Sequence, residues 1–433
     1  MLEIEQHPQT NAIVICPCLA NDRMVVSPES RLAEATGLAL AIGLNVVHQE
    51  AIFLKEIKPA TYYSKGFIEK MLPIVAANDV FLLVSDAMLS PIQQRNLEKA
   101  LKIKVIDRTA LILEIFGERA QTSEGKLQVE LAHLTYQRSR LVRSWTHLER
   151  QRGGAGFLGG PGEKQIELDK RLIDDKIIKI KKELEKVKNT RGLQRSNRQK
   201  VPYPVVALVG YTNAGKSSLF NRLTKENAMV ADMLFATLDP VLRKIKLGSG
   251  LEVILSDTVG FISNLPHELV MAFRSTLEEV LEADLVVHVR DVSNPDSQTQ
   301  RVDVLDVLHR LGLKNIENED NYIEVLNKTD LLSDEEKQAF KAKVGRNDKK
   351  LVAISALTGE GCAALLKLVG EKLTAGQETM RLRISAADGK TLALIYAYAD
   401  VMEKIEKDDW IELCFKASQK TLQKLKKMIA LKG

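Results

Sequence analysis

The feature that most constrains this chain is an apolar strand, a glycine-bounded loop and a helix in direct succession, VVALVGYTNAGKSSLFNRL at 205–223. Gly210, Gly215, Lys216 and Ser217 have the spacing of a phosphate-binding loop. The glycines let main-chain amides surround the α and β phosphates at a helix amino terminus, which favours anions. Lys216 can reach the β and γ oxygens, and the Ser217 hydroxyl can bind Mg²⁺. The segment predicts a nucleotide-binding α/β domain with a doubly wound sheet.

Three later motifs, each directly after an apolar segment, indicate which nucleotide is bound. LEVILSDTVGF places Asp257 where it can hold Mg²⁺ through water and Gly260 where its amide can meet a γ phosphate. YIEVLNKTD places Asp330 after a strand, and its carboxylate can accept both the N1 and N2 hydrogens of guanine. LVAISAL places residues 355–357 where their amides can meet the guanine O6. Four motifs in this order predict a guanine nucleotide.

The segment between the phosphate loop and Asp257 predicts a nucleotide-dependent switch. Thr237 in MLFATLDP is placed to close on Mg²⁺ and the γ phosphate, so we expect residues 229–243 and 260–275 to be the two switches. The alternative for Thr237 is an ordinary loop threonine. Phe261 stands where many phosphate-loop hydrolases have a glutamine that orients the attacking water. Because phenylalanine cannot hydrogen-bond to water, we expect slow intrinsic hydrolysis that is faster when a partner reshapes the switches or supplies a polar group.

The predicted site combines catalytic, metal-binding and nucleotide-contacting residues. We expect Lys216, Thr237 and Gly260 to be catalytic, and Ser217 and Thr237 to bind Mg²⁺. Asn213 is either a hydrogen-bonding residue of the loop or a ligand for a monovalent cation. The predicted nucleotide contacts are Gly210, Tyr211, Thr212, Asn213, Ala214, Gly215, Lys216, Ser217, Phe235, Ala236, Thr237, Leu238, Asp239, Asp257, Thr258, Val259, Gly260, Asn327, Lys328, Thr329, Asp330, Ser355, Ala356 and Leu357.

Residues 1–122 predict a separate parallel α/β domain. Short apolar runs begin at Ala12, Asn45, Asp79 and Ile103 and alternate with helical patterns, which is typical of parallel sheets. No glycine-rich turn joins one of these strands to the next helix, so the domain lacks the signature of a phosphate or dinucleotide site. The sequence does not indicate what this domain binds.

Residues 123–190 predict an antiparallel helical hairpin. Two heptad series, at 127–148 and 166–187, would bury their apolar stripes against each other in arms about 35 Å long. Six glycines in 153–162 predict the tip of the hairpin. A plain loop is one reading of this tip, but two to five residues suffice to join such helices. The longer glycine-rich tip favours close approach to another molecule, such as the phosphates of RNA.

The positive charge of the chain is concentrated beside this hairpin. Residues 164–200 hold 13 basic and 6 acidic side chains, so this segment carries 13 − 6 = +7 while the whole chain carries +5. Such a block either contacts nucleic-acid phosphates or is a solvated helix face. The basic residues at 191–203 lack periodicity, and they predict a linker into the nucleotide domain at 204–376.

Residues 377–433 predict a small α+β domain. It contains the strand-like segments RLRIS and WIELCF, each followed by a helical pattern. Six lysines and no acidic residue lie in 416–433. The last helix therefore either contacts RNA or is simply solvated.

Long motifs of this chain together resemble those of one family. They extend over nearly the whole length, through VIDRTALILEIF, EGKLQVELAHLTYQRSRLVRSW, GGPGEKQIELDKR, GYTNAGKSSLFNRL, FATLDP, DTVGFI and NKTD. The chain resembles HflX, a family of translational GTPases that associate with the large ribosomal subunit. The resemblance implies binding near the peptidyl-transferase region through the amino-terminal and hairpin domains. It also implies that GTP is used to split or rescue stalled ribosomes under stress.

The chain departs from the family pattern at two places. The tip has Phe157, Leu158 and Gly159 where the family usually has polar and arginine residues. Val241 and Leu242 replace two threonines that in the family follow the switch threonine, which is Thr237 here. We expect such a tip to insert apolar side chains among bases, which is a different contact from a phosphate clamp.

Composition excludes several classes of protein. No run of about 18 apolar residues is present, which excludes a membrane-spanning chain, and the acidic amino terminus does not predict a secretory signal. The four cysteines lack the spacing of a zinc site and fit a reducing compartment. We therefore expect a cytosolic protein and, by default, a monomer.

Two functions from different classes agree with these features. The first is a GTP-hydrolysing switch that acts on ribosomes. The second is an RNA-binding assembly factor in which GTP sets the conformation and hydrolysis is incidental, which Phe261 favours. A third reading, a phosphotransferase with a phosphate loop, would require an acceptor site and the use of adenine nucleotides.

Overall fold

The computed structural model describes residues 10–19, 26–151, 161–198, 203–225, 235, 240–263, 279–338, 350–375, 377–407, 409–418, 422 and 425. The predicted hairpin tip, Thr237 and parts of both predicted switches lie outside these residues. The predicted fold class is confirmed, because the chain forms a parallel α/β domain, a helix pair, a phosphate-loop domain and a small antiparallel domain. Over the described ranges, no helix combines the length and the apolar character that crossing a bilayer requires.

The amino-terminal domain is a four-stranded, fully parallel sheet with helices between its strands. Its strand order is β2-β1-β3-β4. A serine directly precedes each of α1, α2 and α3, namely Ser27, Ser64 and Ser90. Each serine side chain accepts a hydrogen bond from a main-chain amide in the first turn of its helix, so the sequence determines where these helices begin. The elements are β1 (Asn11–Leu19), α1 (Pro28–Ala41), β2 (Asn45–Leu54), α2 (Lys65–Ala77), β3 (Leu82–Ser85), α3 (Pro91–Leu101), β4 (Lys104–Asp107) and α4 (Arg108–Arg119).

The next two elements form the predicted helix pair, α5 (Ser123–Gln151) and α6 (Pro161–Arg198). Their contact is the predicted heptad stripe, in which Leu134, Ile177 and Ile180 are buried. Arg138 interrupts the stripe and pairs with Asp174 across the two helices at 2.6 Å. With 29 and 38 residues, the helices are about 43 and 57 Å long, which exceeds the predicted length of each arm.

The predicted linker at 191–203 is wrong over its first part, because α6 continues to Arg198. Apolar periodicity reports a buried helix face, and a helix surrounded by solvent does not need one. The residues of this segment include arginine, leucine and glutamine, which have high intrinsic helix propensity. The basic segment therefore extends helix α6 as far as Arg198.

The nucleotide domain is built on a six-stranded sheet of order β10-β9-β8-β5-β7-β6. All neighbouring strands are parallel except β6, which lies antiparallel to β7 at the edge. Because parallel strands end at the same edge of a sheet, the loops after β5, β7, β9 and β10 gather there. The elements are β5 (Val205–Gly210), α7 (Lys216–Thr224), β6 (Val241–Lys246), β7 (Glu252–Asp257), β8 (Leu285–Asp291), α8 (Ser297–Leu311), β9 (Tyr322–Asn327), β10 (Leu351–Ala353) and α9 (Cys362–Thr374).

The carboxyl-terminal domain is a three-stranded antiparallel sheet of order β11-β13-β12. Its elements are β11 (Gln377–Ser385), α10 (Gly389–Tyr398), β12 (Asp400–Lys407) and β13 (Trp410–Ser418). The sequence predicted β11, α10 and β13 but not β12, because DVMEKIEK is mostly charged and exposed and gives no apolar strand signal. The predicted lysine-rich last helix lies outside the described residues, apart from Leu422 and Leu425, which are buried with the sheet.

Asp107 joins the helix pair to the amino-terminal domain. Its carboxylate caps α4 by accepting from the Ala110 amide at 2.8 Å, and it also accepts from the Tyr136 hydroxyl at 2.9 Å. Arg140 donates to the same carboxylate at 3.2 Å and to the Leu89 carbonyl at 3.2 Å. Asp107 is 2% exposed, so its charge is stabilised mainly by these contacts. The middle of α5 is thereby fixed to β4 and α4.

We predict that Arg140→Met lowers the stability of this junction by about 3 kcal/mol, because it leaves the buried Asp107 carboxylate without its cation. Hydrogen exchange of the α5 amides measures the loss. Arg138→Met is the matched control, since Arg138 lies on the same helix with a more exposed pair, and it should cost less than about 1 kcal/mol. Equal losses in the two variants would contradict the role of Asp107.

Candidate nucleotide site

The phosphate loop connects β5 to α7, as the sequence predicts. Gly215 has φ +89°, and a Cβ at this position would lie 2.2 Å from Asn327 Nδ2, so no side chain fits there. The Lys216 side chain is buried, and its ammonium donates to the Tyr211 carbonyl at 2.7 Å and the Gly210 carbonyl at 3.1 Å. This burial lowers the pKa of Lys216 to about 8, against the opposing charge of Asp257.

Two side chains of the predicted metal site, Ser217 and Asp257, lie in contact with each other. The Ser217 hydroxyl donates to Asp257 Oδ2 at 2.7 Å, so a hydroxyl and a carboxylate converge beside the phosphate loop. Hard oxygen donors are the ligands that Mg²⁺ prefers, usually together with phosphate oxygens. The residues present therefore fit this ion. Thr237, the other predicted ligand, lies outside the described residues, as do Ala236, Leu238 and Asp239.

The start of the predicted second switch lies directly on the phosphate loop. The Thr212 amide donates to the Phe261 carbonyl at 2.7 Å, and the Phe261 amide donates to the Gly210 carbonyl at 3.0 Å. A Cβ on Gly260 would lie 2.8 Å from Thr212 Cγ2 and 3.1 Å from Lys216 Nζ. Gly260 thus lies beside the lysine that would hold the γ phosphate. The Phe261 side chain is 2% exposed and lies in the apolar core, where it offers no polar group to water.

The loop predicted to recognise the base is held to the phosphate loop by Asn327. Its Nδ2 donates to the Ala214 carbonyl at 2.8 Å, and its Oδ1 accepts from the Ala356 amide at 2.9 Å. Three of the predicted loops are thereby joined by one buried side chain. Beside it, Thr329 donates to the Ile354 carbonyl at 2.9 Å. The Lys328 ammonium pairs with Asp291 at 2.8 Å.

Asp330 has the property expected of a ligand-binding carboxylate. Its Oδ1 is buried and has no hydrogen-bond partner among the residues that the structure describes. A buried acceptor without a donor is costly. The N1 and N2 hydrogens of guanine would supply the missing donors, since they are donors that adenine does not offer in this arrangement.

The structure reduces the number of main-chain amides that could donate to the guanine O6. The Ser355 amide donates to the Glu360 carbonyl at 2.9 Å, and the Ala356 amide is bonded to Asn327. Of the three predicted amides, that of Leu357 is left as the candidate donor. Sequence reasoning missed Arg222 of α7, whose guanidinium donates to the Ala356 and Leu357 carbonyls and so holds this loop. Arginine in an exposed helix turn carries no signal of such a role.

The remaining predicted contacts are placed on the same edge of the sheet or buried beside it. Asn213 is exposed at φ +58° in the phosphate loop, where it faces solvent. The Thr258 hydroxyl donates to the Leu208 carbonyl at 2.6 Å, so its side chain holds β5 and not a ligand. Val259 is buried in the core. Phe235, a predicted nucleotide contact, is 3% exposed and packs against Phe116 of the amino-terminal domain.

The amino-terminal domain meets the nucleotide site at two points that sequence reasoning missed. Arg108, the first residue of α4, pairs with Glu34 and donates to the Ser263 carbonyl at 3.0 Å. The Tyr211 hydroxyl donates to Glu34 and accepts from the Ser263 amide at 2.7 Å. Burial raises the pKa of the Tyr211 phenol, and the charge of Glu34 raises it further. The hydroxyl is therefore neutral and able to donate.

The second point of contact is aromatic. The ring of Phe116, at the far end of α4, meets that of Phe235 edge to face with centroids 4.8 Å apart. Phe235 belongs to the predicted first switch, and Ser263 belongs to the predicted second. One helix of the amino-terminal domain therefore contacts a residue from each predicted switch.

Comparison with known proteins shows the family. Residues 29–117 match a family described as GTP-binding GTPase N-terminal, residues 119–198 match GTP-binding GTPase Middle Region, and residues 205–328 match 50S ribosome-binding GTPase. The chain is 45% identical to GTPase HflX of Magnetococcus marinus over 93% of this chain and 91% of that protein. It is 41% identical to GTPase HflX of Escherichia coli, over 88% and 87% respectively.

The chain belongs to the HflX GTPase family. The family resemblance of the sequence is therefore confirmed. Like other members of the family, the protein is a GTPase that binds guanine nucleotides and converts GTP and water to GDP and phosphate. This finding removes the phosphotransferase reading.

We predict that Asp330→Asn lowers GTP affinity by roughly 100-fold and favours xanthosine triphosphate, because the amide donates where the carboxylate accepted. Competition binding with the two nucleotides measures the shift. The control is Asp334→Asn, an exposed carboxylate four residues away, which should leave selectivity unchanged. Unaltered GTP selectivity in Asp330→Asn would remove this residue from base recognition.

We predict that GDP binding takes up protons near pH 8. Phosphate oxygens require the ammonium form of Lys216, whose pKa is about 8 in this buried position. Uptake attributable to Lys216 should rise from about a quarter of a proton at pH 7.5 to about three-quarters at pH 8.5. Calorimetry in buffers of different ionisation enthalpy measures it. No uptake across this range would show that the Lys216 ammonium is already fully charged before nucleotide binds.

Proposed function

We propose that this GTPase acts on the large ribosomal subunit and splits or rescues stalled ribosomes, as a cytosolic protein serving translation under stress. The matched family description at 205–328 refers to ribosome binding. The observation that carries the proposal is a long basic helix, α6, whose partner α5 is fixed to a domain that contacts both predicted switches. In such an arrangement the bound nucleotide can influence the position of α6, whose basic side chains are suited to contact RNA phosphates.

Helix α4 is the element through which this relation would act. Its first residue, Arg108, holds Ser263, while Phe116 two turns later holds Phe235. Loss of the γ phosphate rearranges switch segments in GTPases of this type. Both contacts of α4 would change together, and α4 leads within a few residues into α5. The helix pair would then change its position or its stability with the nucleotide.

Hydrolysis is an in-line attack of water on the γ phosphate, in which the protein supplies position and charge. Lys216 and the phosphate-loop amides would stabilise the charge that develops on the phosphate oxygens. Gly260 would contribute its amide, and Thr237 would close over the γ phosphate. Ser217 would bind Mg²⁺, with Asp257 close behind it, and the ion would neutralise charge on the β and γ oxygens.

Phe261 favours a second candidate function. Its buried ring leaves the position of a water-orienting side chain without a polar group. A protein of this kind could use GTP mainly to set its conformation, as an RNA-binding factor in ribosome assembly whose turnover is incidental. The two candidates differ in whether the ribosome completes the catalytic site.

The deciding experiment is steady-state GTP hydrolysis with and without purified large ribosomal subunits. The proposed function predicts stimulation of about tenfold or more, because a partner must supply what Phe261 lacks. Ser217→Ala, which removes a residue of the nucleotide site, should abolish the stimulated rate and so controls for contaminating hydrolases.

Binding without stimulation would favour the assembly factor. If the protein bound the large subunit with equal affinity in the presence of GDP and of a nonhydrolysable GTP analogue, both candidates would be contradicted. Subunit binding would then not depend on the bound nucleotide. Splitting supported by the analogue would assign hydrolysis to release of the protein and not to the splitting step.

A further inference from the structure

The carboxyl-terminal sheet has one covered face and one open face. Ile384, Leu413 and Phe415 are buried with Ile395 of α10, which covers that side. Successive residues of a strand point to opposite faces. The residues between the buried ones therefore form the open face, which includes Arg381, Arg383, Glu403, Ile405, Lys407, Trp410, Glu412, Cys414 and Lys416.

Trp410 is the centre of a cationic cluster on this open face. The guanidinium carbon of Arg383 lies 4.5 Å from the centroid of its ring, and the ammonium of Lys407 lies 5.1 Å from it. Arg383 reaches from β11 and Lys407 from β12, while Trp410 occupies the central strand. Nine residue pairs between β11 and β13 and seven between β12 and β13 hold the three side chains in register. The indole and two cations are thus presented together on a rigid support.

The charge of the open face is positive. Among the open-face side chains that the structure describes, four are cationic, Arg381, Arg383, Lys407 and Lys416, and two are acidic, Glu403 and Glu412, so their sum is 4 − 2 = +2. Glu412 pairs with Arg383 at 3.2 Å, which positions the guanidinium beside the ring. Exposed Ile405, with 41% of its surface accessible, adds an apolar edge.

We propose that this open face binds single-stranded RNA. Unpaired bases stack on aromatic rings and on guanidinium planes, and flanking cations neutralise the phosphates. Trp410 and Arg383 supply the stacking surface, while Lys407 and Arg381 supply the charge. A duplex keeps its bases stacked on each other and so cannot use the indole. An acidic peptide would use the cations but gains little from an aromatic platform.

This inference goes beyond the ribosomal function proposed above, which assigns nothing to the carboxyl-terminal domain. It is tested without ribosomes. The chain has two tryptophans, Trp145 and Trp410, so Trp145→Phe leaves Trp410 as the sole indole of the full-length protein. A mixed-sequence single-stranded RNA of about ten nucleotides should quench its fluorescence saturably, because a stacked base contacts the ring. The same sequence as a blunt duplex should leave the fluorescence unchanged.

Matched variants test the contribution of the ring to affinity. Trp410→Ala should weaken binding of the single-stranded RNA by about fivefold to a hundredfold, and Trp410→Phe should retain most of it. Tyr396→Ala is the aromatic control, because Tyr396 is 52% exposed on α10, the helix that covers the other face. Lys407→Gln should reduce the salt dependence of binding by about one phosphate contact. Lys390→Gln, an exposed lysine of α10, should not.

Three results would overturn the proposal. The first is unquenched Trp410 fluorescence at saturating RNA, which would locate RNA binding elsewhere on the chain. The second is equal affinity loss in Trp410→Ala and Tyr396→Ala. The third is saturable quenching by an acidic peptide but not by RNA, which would assign the face to a protein partner. Stimulation of Trp410→Ala by large subunits, measured separately, distinguishes failure of this site from failure of the ribosomal function.

Discussion

A buried arginine is the constraint on which the arrangement of the domains depends. The Arg108 side chain is only 8% exposed and lies between the carboxylates of Asp86 and Glu34, one of which also binds Tyr211 of the phosphate loop. A buried guanidinium is tolerated only when its donors are matched by acceptors of opposite charge. Two of these acceptors belong to the amino-terminal domain, and a further one, the Ser263 carbonyl, belongs to the nucleotide domain. Separation of the two domains would remove the Ser263 acceptor and leave one more buried donor of Arg108 without a partner.

The same cluster lies at the carboxyl edge of the amino-terminal sheet. In open parallel sheets, ligands bind at that edge, where the strand order changes direction. Here the edge between β1 and β3 carries Asp86, which accepts from Arg108 and lies near Arg31 and the buried thiol of Cys16. Ser263 of the nucleotide domain approaches from outside. At an edge where other folds bind small molecules, this chain thus makes a contact between its amino-terminal and nucleotide domains.

The sequence predicted those parts of the fold and site that depend on local patterns. The phosphate loop, the strands that end at the motifs and the stripe between α5 and α6 all follow from spacing within a few turns, and the structure has them. Contacts between distant segments left no such pattern: Arg108 and Ser263 are 155 residues apart, and nothing in the local sequence of either residue indicates the other. Strand β12 and the end of α6 were missed because the sequences of these segments, rich in charged and polar residues, carry little hydrophobic periodicity. The role of Thr237 stays a prediction.

Asn327 makes the two halves of the nucleotide pocket mechanically inseparable. One amide side chain is bonded at one end to the phosphate loop and at the other to the loop that would face the base. A displacement of either loop by a fraction of an ångström must strain or break one of these bonds. Release of nucleotide should therefore be concerted, with base and phosphates loosened in a single event. A factor that accelerates nucleotide exchange would need to displace only one of these two loops.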